Sequence, residues 1–282
     1  MTLLADPLVQ RMLLVGLLVG AAAPIVGTYL VQRRMALLGD GIGHVALAGV
    51  AAGWLAGSAA GLAQRDSLAV PGAVLFAVAG AVIIERMRAR GAAADVVMAI
   101  LFYGGIASGV LLIGLAGGSN ANLLGYLFGS ISTVAWADVW ITATLAIVIV
   151  GVGLGLRGAL FAVTHDQEFA RSTGLPVELL NMMVAVLAAA TITVAMRVVG
   201  VLLVSALMIL PVAIAQRVTA SFSRTMYVSM AVGATLTLTG IWITLTHDLQ
   251  PGALIVVLGV GVYVAVTLAL AGRDRLRRGS ES

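Results

Sequence analysis

An aspartate and a histidine stand four residues apart inside a long apolar stretch of this chain. The segment from Arg33 to Gly57 reads RRMALLGDGIGHVALAGVAAGWLAG, and it contains Asp40 and His44. Positions i and i+4 share one face of an α-helix, so the two side chains are expected to point the same way. A carboxylate oxygen and an imidazole nitrogen are good ligands for Zn²⁺ or Mn²⁺.

The same pair has a purely structural interpretation, which spacing alone leaves open. An Asp40–His44 hydrogen bond could steady a helix bend near the three glycines that surround the pair. The membrane setting favours function, because a charged group inside a bilayer is costly unless it faces a bundle interior or a wet cavity. Passage or sensing of a cation is the chemistry that best explains this cost.

The composition requires lipid as the solvent for much of the surface. Of 282 residues, 61% are hydrophobic and 10% are charged, and the mean hydropathy is +1.11. A soluble domain is ~25% charged. There are no cysteines, so disulfides and thiolate metal sites are excluded. We predict an all-α, polytopic membrane helix bundle that forms one transmembrane domain over residues 1–272.

Nine stretches have the length and apolarity of a membrane span. The turn before the seventh stretch, around Gly200, is so short that a bundle of eight spans with one short or broken helix also remains open. The nine predicted stretches lie near residues 8–31, 37–62, 68–85, 95–116, 137–156, 178–197, 199–216, 226–246 and 252–271.

The arginines predict the orientation of these spans. With nine spans and an external N-terminus, five groups of arginines fall on one side, which the positive-inside rule makes cytoplasmic. The tail at residues 273–282 then also lies in the cytoplasm. The groups are Arg33 and Arg34; Arg86, Arg88 and Arg90; Arg157 and Arg171; Arg217 and Arg224; and Arg273, Arg275, Arg277 and Arg278.

Two connections are long enough to have structure of their own. The external one, about 121–135, is typical of a short re-entrant or interfacial helix. The internal one, about 158–177, contains DQEFARSTGLP. Asp166 and Glu168 are expected to open a short helix there, Gly174 to end it, and Pro176 to start the next span.

A second histidine–aspartate pair, His247 and Asp248, lies in the external turn THDLQPG. It is either an exposed turn with an aspartate helix cap or an external gate that ligates the cation. The chain has no G-x-x-x-x-G-K-[ST] loop and no catalytic triad or acid pair. We therefore expect no enzymatic activity, no permanently bound cofactor and no nucleic-acid partner, with energy from an ion gradient or a separate subunit.

Five segments in the same order resemble the membrane subunits of zinc/manganese-type ABC importers. These importers are relatives of the siderophore and cobalamin permeases, with which they share a type II architecture. The resemblance runs from about Gln32 to Leu270. The segments are RRMALLGDGIGH (33–44), NLLGYLFGSI (122–131), DQEFARSTGLP (166–176), VGVLLVSALMILPVAIAQR (199–217) and HDLQPGALIVVL (247–258).

The resemblance implies a permease in the bacterial plasma membrane that works with a second copy or a close homologue. A cytoplasmic ABC ATPase dimer would bind ATP, and an extracytoplasmic metal-binding protein would deliver the ion. Asp40 and His44 match the polar pair of the translocation path. The stretch that docks on the ATPase matches Asp166, Glu168, Phe169, Ala170 and Gly174.

The chain departs from the family pattern at two places. It reads FGS at Phe128–Ser130 where many relatives have FGD, and Gly41 and Gly43 replace larger residues, which could loosen the helix at the site. His44 favours Zn²⁺ as the cargo, with Mn²⁺ or Fe²⁺ as alternatives. A permease for metal chelates and an ion-coupled secondary transporter remain the competing functions.

Overall fold

Eleven α-helices of six residues or more make up the part of the chain that the computed structural model describes, namely residues 5–61, 68–116, 125–127, 129, 134–247 and 249–279, and no strand occurs in it. The helices are α1 (Pro7–Gln32), α2 (Leu38–Ala59), α3 (Ala69–Ala89), α4 (Ala94–Leu115), α5 (Trp136–Gly155), α6 (Arg157–His165), α7 (Gln167–Ser172), α8 (Val177–Val199), α9 (Val201–Val218), α10 (Phe222–Thr246) and α11 (Pro251–Gly279).

Nine of the described helices, all except α6 and α7, are long and apolar enough to cross a membrane. The all-α membrane bundle is therefore confirmed, and of the two counts that the sequence left open the structure has nine. Most predicted bounds agree within a few residues. The largest difference is at α11, which continues as one helix through the predicted tail to Gly279.

The break between α8 and α9 consists of Gly200 alone. Its φ of 84° and ψ of 151° lie in a region that only glycine adopts readily. The Gly200 amide still donates to the Met196 carbonyl, and its own carbonyl accepts from Val204. One residue thus ends α8 and begins α9, which explains why the sequence shows an almost continuous apolar run here.

Polar side chains begin three of the helices. The Asp6 carboxylate accepts a hydrogen bond from the Leu8 amide at 2.8 Å, and Pro7 follows at the first helical position of α1. Ser221 caps α10 and Asp166 caps α7 in the same way. These caps satisfy backbone amides that have no partner within a helix.

Four helices form the inside of the bundle. In α1, α2, α8 and α9, 56% to 72% of the most apolar 18-residue stretch is buried inside the bundle. In the other five spans this share is 11% to 33%. α1 packs on α10, α9 and α5, and α2 packs on α3 and α4. The outer helices carry exposed leucine, valine and isoleucine side chains, as expected for surfaces that face lipid.

The arginine-bearing connections gather at one end of the bundle. Arg33, after α1, pairs with Glu85 at the end of α3. Arg157, at the start of α6, lies 3.5 Å from the Tyr227 hydroxyl near the start of α10. Arg11, at the beginning of α1, bonds to the chain just before α5 at the opposite end. The side shared by the arginine groups in the sequence is therefore one end of the structure, which we call the arginine end.

Candidate functional site

Asp40 and His44 lie one turn apart at the beginning of α2. Asp40 is in the first helical turn and is half-buried, whereas His44 is only 8% exposed. The unpaired amides at a helix N-terminus favour a negative charge, which suits the Asp40 carboxylate. The structure thus provides the shared helix face that the spacing predicts.

The His44 imidazole is held by packing. Its ring meets the Phe102 ring of α4 edge to face, with 4.6 Å between centroids and an angle of 85° between planes. The buried Nδ1 atom of His44 has no hydrogen-bond partner among the described residues. An unpaired ring nitrogen inside a protein is costly, so this residue is poorly explained as a structural element.

Neighbouring helices approach the α2 backbone directly around His44. A Cβ atom built on Gly105 of α4 would lie 2.7 Å from the His44 carbonyl carbon. A Cβ built on Gly43 would lie 2.5 Å from a Val201 methyl group of α9. Both glycines therefore allow contacts that a side chain would prevent. Helices α4 and α9 thus pack directly against α2 on two sides of the site.

The hydrogen bond that the structural interpretation of the aspartate–histidine pair requires does not occur among the described residues. Asp40 makes no hydrogen bond or ion pair with any described residue, so it does not bond to His44. α2 runs unbroken for 22 residues through all three glycines. The helix is continuous at Gly41 and Gly43, and Gly43 allows α9 to approach closely.

The described residues form no complete metal site. Within the described ranges, no three histidine, aspartate or glutamate side chains come close enough to hold a metal ion. Asp40 and His44 thus remain two candidate ligands, with no third one nearby among the described residues. An ion at this place needs water or a second molecule to complete its coordination.

The internal connection folds into two short helices, α6 and α7. The Asp166 carboxylate accepts from the Phe169 amide at 2.9 Å and so caps α7. Gly174 has a φ of 80°, and the following amide of Leu175 donates to the Ala170 carbonyl at 3.0 Å. This left-handed glycine ends α7.

α7 has one buried and one exposed face. Ala170 is fully buried, whereas Phe169 is 60% exposed and Glu168 is exposed as well. Ala170 anchors the helix to the bundle. An exposed phenylalanine beside a charge is typical of a surface that binds another protein.

A cavity of about 480 Å³ lies between the end of α3 and α7. Because its lining combines residues of α3, α7 and α8, a movement of α7 would change its shape. The lining residues are Glu85, Arg86, Arg88, Ala89, Gly91, Gln167, Arg171, Glu178, Asn181 and Met182.

A buried ion cluster, which the sequence did not lead us to predict, lies beside this cavity. The Glu85 carboxylate accepts from Arg33 Nη2 at 3.3 Å and from Arg88 Nη1 at 3.1 Å. Burial lowers the pKa of Arg33, and the Glu85 charge partly offsets this effect. The sequence signal was Glu85 itself, an acid at the end of an apolar span among arginines.

Of the external pair, only His247 lies among the described residues. His247 caps the end of α10, is exposed, and its Nδ1 lies 2.9 Å from the Thr246 hydroxyl. Asp248 lies outside the described residues, as does most of the predicted external helix at 121–135. In the described part of that segment, Tyr126 packs edge to face on Trp54 with centroids 5.5 Å apart. The structure brings His247 into no ligand group with the pair on α2.

Comparison with known proteins identifies the class of the molecule. The model of the ABC 3 transport family matches residues 5–270. The chain belongs to the ABC 3 transport family. This ABC 3 protein is a membrane permease subunit, and the ATPase is a separate subunit. The resemblance seen in the sequence is therefore confirmed, as is the expectation that the chain is not an enzyme.

Individual relatives cover nearly the whole ABC 3 chain. A manganese transport system membrane protein MntC of Halalkalibacterium halodurans is 28% identical over 93% of this chain and 87% of its own length. A probable metal transport system membrane protein of Treponema pallidum is 31% identical over 92% of this chain and 94% of its own. Among solved structures, PsaBC from Streptococcus pneumoniae in complex with Fab matches with a TM-score of 0.79 and 28% identity, covering 94% of this chain and 92% of that one.

Proposed function

We propose that this permease conducts a divalent first-row metal cation, Mn²⁺ in the first place, across the bacterial plasma membrane, with Asp40 and His44 as ligands along the path. One observation carries the proposal. Inside an apolar bundle, the His44 imidazole is buried, its Nδ1 atom has no hydrogen-bond partner among the described residues, and the Asp40 carboxylate lies one turn away on the same helix. Binding of a passing cation would offset the free-energy cost of placing the Asp40 carboxylate and the His44 imidazole in this apolar surrounding.

The small number of ligands suits a transport site. Conduction requires binding that is strong enough to admit the ion and weak enough to release it. Two protein ligands per chain meet that requirement better than a closed tetrahedral cage does. A second copy of the chain would bring a second Asp40 and His44 to a path between the two molecules.

Manganese is favoured over zinc by the relatives. Their names specify manganese or metal transport, and none of those reported above specifies zinc. The preference for Zn²⁺ drawn from His44 thus gains no support. An aspartate oxygen and an imidazole nitrogen accommodate Mn²⁺, whereas Mg²⁺ and Ca²⁺ prefer oxygen ligands alone.

ATP hydrolysis in a separate ATPase dimer supplies the energy for transport. We assign the docking surface to α7, where Glu168 and Phe169 are exposed and Ala170 fixes the helix to the bundle. Asp166 and Gly174 set the two ends of α7. ATP-driven movement of the partner would reach the permease through this short helix.

The arginine end faces the cytoplasm, following the positive-inside rule. The C-terminus then lies inside, and α7 meets the ATPase from the same side. α10 begins at the arginine end, so His247 at its other end faces outward. Asp248, the next residue in the chain, lies outside the described residues. We assign these two residues to an external gate that receives the ion from an extracytoplasmic metal-binding protein.

Uptake of radioactive manganese by cells that carry the complete transporter tests the proposal. Asp40→Asn and His44→Gln are each expected to lower uptake about tenfold or more at normal membrane levels. Asp95→Asn and His165→Gln are matched controls, because both residues are exposed. Wild-type uptake by both Asp40→Asn and His44→Gln would exclude the pair from the path.

A further inference from the structure

We infer that Phe102 is a positioning residue for transport: its ring sets the orientation of the His44 imidazole, in place of the hydrogen bond that usually does so. This inference rests on the proposed function, because it assigns a role to a neighbour of His44. Histidines that bind metals almost always donate their second ring N–H to a carboxylate, a carbonyl or water. Here the buried Nδ1 atom meets no carboxylate or carbonyl group among the described residues.

The contact geometry supports this role. The rings of Phe102 and His44 are perpendicular within 5°, and their centroids are 4.6 Å apart. This is a favourable edge-to-face arrangement for aromatic rings. With no hydrogen bond on Nδ1, van der Waals contact with Phe102 restricts rotation of the imidazole about its side-chain bonds.

The approach of α4 to α2 places Phe102 at this distance. Gly105 lies one turn after Phe102, and its missing side chain lets α4 touch the backbone of His44 and Val45. Gly109, a further turn along, faces the backbone of Ala48. Phe102 also meets Tyr103 edge to face at 5.5 Å. The close approach of α4 to α2 therefore holds the Phe102 ring against His44, and the largely exposed Tyr103 is not needed for this contact.

Orientation by an apolar ring has a chemical consequence. A hydrogen bond to carboxylate would raise the basicity of the imidazole and tighten its grip on the metal. A phenylalanine orients the ring without that effect. The result is a ligand that is well placed but weak, which suits an ion that must leave. Among first-row cations, Zn²⁺ binds to imidazole more strongly than Mn²⁺ does, so it depends more on this orientation.

A double-mutant cycle in the complete transporter tests the inference. Phe102→Leu removes the ring, Phe102→Tyr keeps it, and Tyr103→Leu is a control that removes a largely exposed neighbouring ring. Each variant is made with His44 and with His44→Gln. Metal uptake in proteoliposomes that contain the permease, its ATPase and its binding protein gives the maximal rate, the half-saturating concentration and the ratio of zinc to manganese transported.

Phe102→Leu is expected to lower the maximal rate about tenfold, to leave the half-saturating concentration unchanged, and to shift the ratio toward manganese. Phe102→Tyr restores most of the rate, and Tyr103→Leu leaves it near wild type. In the His44→Gln background, Phe102→Leu has no additional effect. Complete loss of uptake after Phe102→Leu in both the His44 and the His44→Gln backgrounds would overturn the inference. An unchanged maximal rate and an unchanged zinc-to-manganese ratio in Phe102→Leu would overturn it as well. Unchanged uptake in His44→Gln alone would instead refute the proposed function.

Discussion

The Arg33 guanidinium and the Glu85 carboxylate meet at 3.3 Å inside the arginine end of the bundle, where their side chains are 3% and 7% exposed. This contact ties the turn before α2 to the end of α3. Because α2 begins five residues after Arg33, the ion pair holds the base of the helix that carries Asp40 and His44. Two further nitrogens of Arg33, Nε and Nη1, are buried and have no partner among the described residues, so Glu85 is the main compensation for the Arg33 charge.

Glu85→Gln is expected to destabilise the permease strongly. Breaking a buried ion pair leaves an uncompensated charge and costs about 3–5 kcal/mol. Thermal unfolding of the purified permease in detergent measures the effect. Glu178→Gln, an exposed residue that lines the same cavity, is the control and should change the unfolding temperature little. The double variant Arg33→Leu with Glu85→Leu should be more stable than Glu85→Gln. A Glu85→Gln protein as stable as the control would contradict the burial argument.

Gly105→Ala is expected to separate α4 from α2. The added methyl group would meet the His44 backbone at 2.7 Å, and overpacking of this kind costs about 1–3 kcal/mol. Gly104→Ala is a matched control on the same helix, because nothing lies within 4 Å of its Cβ position. That change should be neutral or stabilise by about 0.5–1 kcal/mol. Equal unfolding temperatures for the two variants would show that α4 does not press on α2.

Phe169→Ala is expected to release the ATPase without unfolding the permease. The side chain is 60% exposed, so it contributes little to the bundle, and aromatic anchors at interfaces often contribute about 2 kcal/mol or more. The amount of ATPase that copurifies with the permease measures the loss. Leu179→Ala, at a residue 58% exposed on α8, is the control. Full copurification with Phe169→Ala would move the docking surface away from α7.

His44→Asp is expected to change the cargo preference. Replacing the imidazole with a carboxylate removes the nitrogen ligand that Zn²⁺ favours, so the ratio of zinc to manganese uptake should fall about fivefold. Uptake of both metals from a mixture measures the ratio while the binding protein and the ATPase stay the same. His165→Asp serves as the exposed control. A ratio that stays at the wild-type value would place metal selection entirely outside the permease path.

The sequence alone was sufficient for the architecture and for the candidate ligands. Lipid forces apolar runs of about 20 residues into helices, so the spans could be located without any knowledge of their neighbours. The helical period placed Asp40 and His44 on one face. The distribution of arginines predicted which connections share a side, and the structure gathers those it describes at one end.

Only the tertiary structure decided which faces of the helices meet. These helices are apolar nearly all round, so their pattern does not reveal the neighbour of a given face. The contact of Phe102 with His44 and the Arg33–Glu85 pair therefore could not be predicted. Each depends on how closely two backbones approach, which is set by packing between segments distant in the chain.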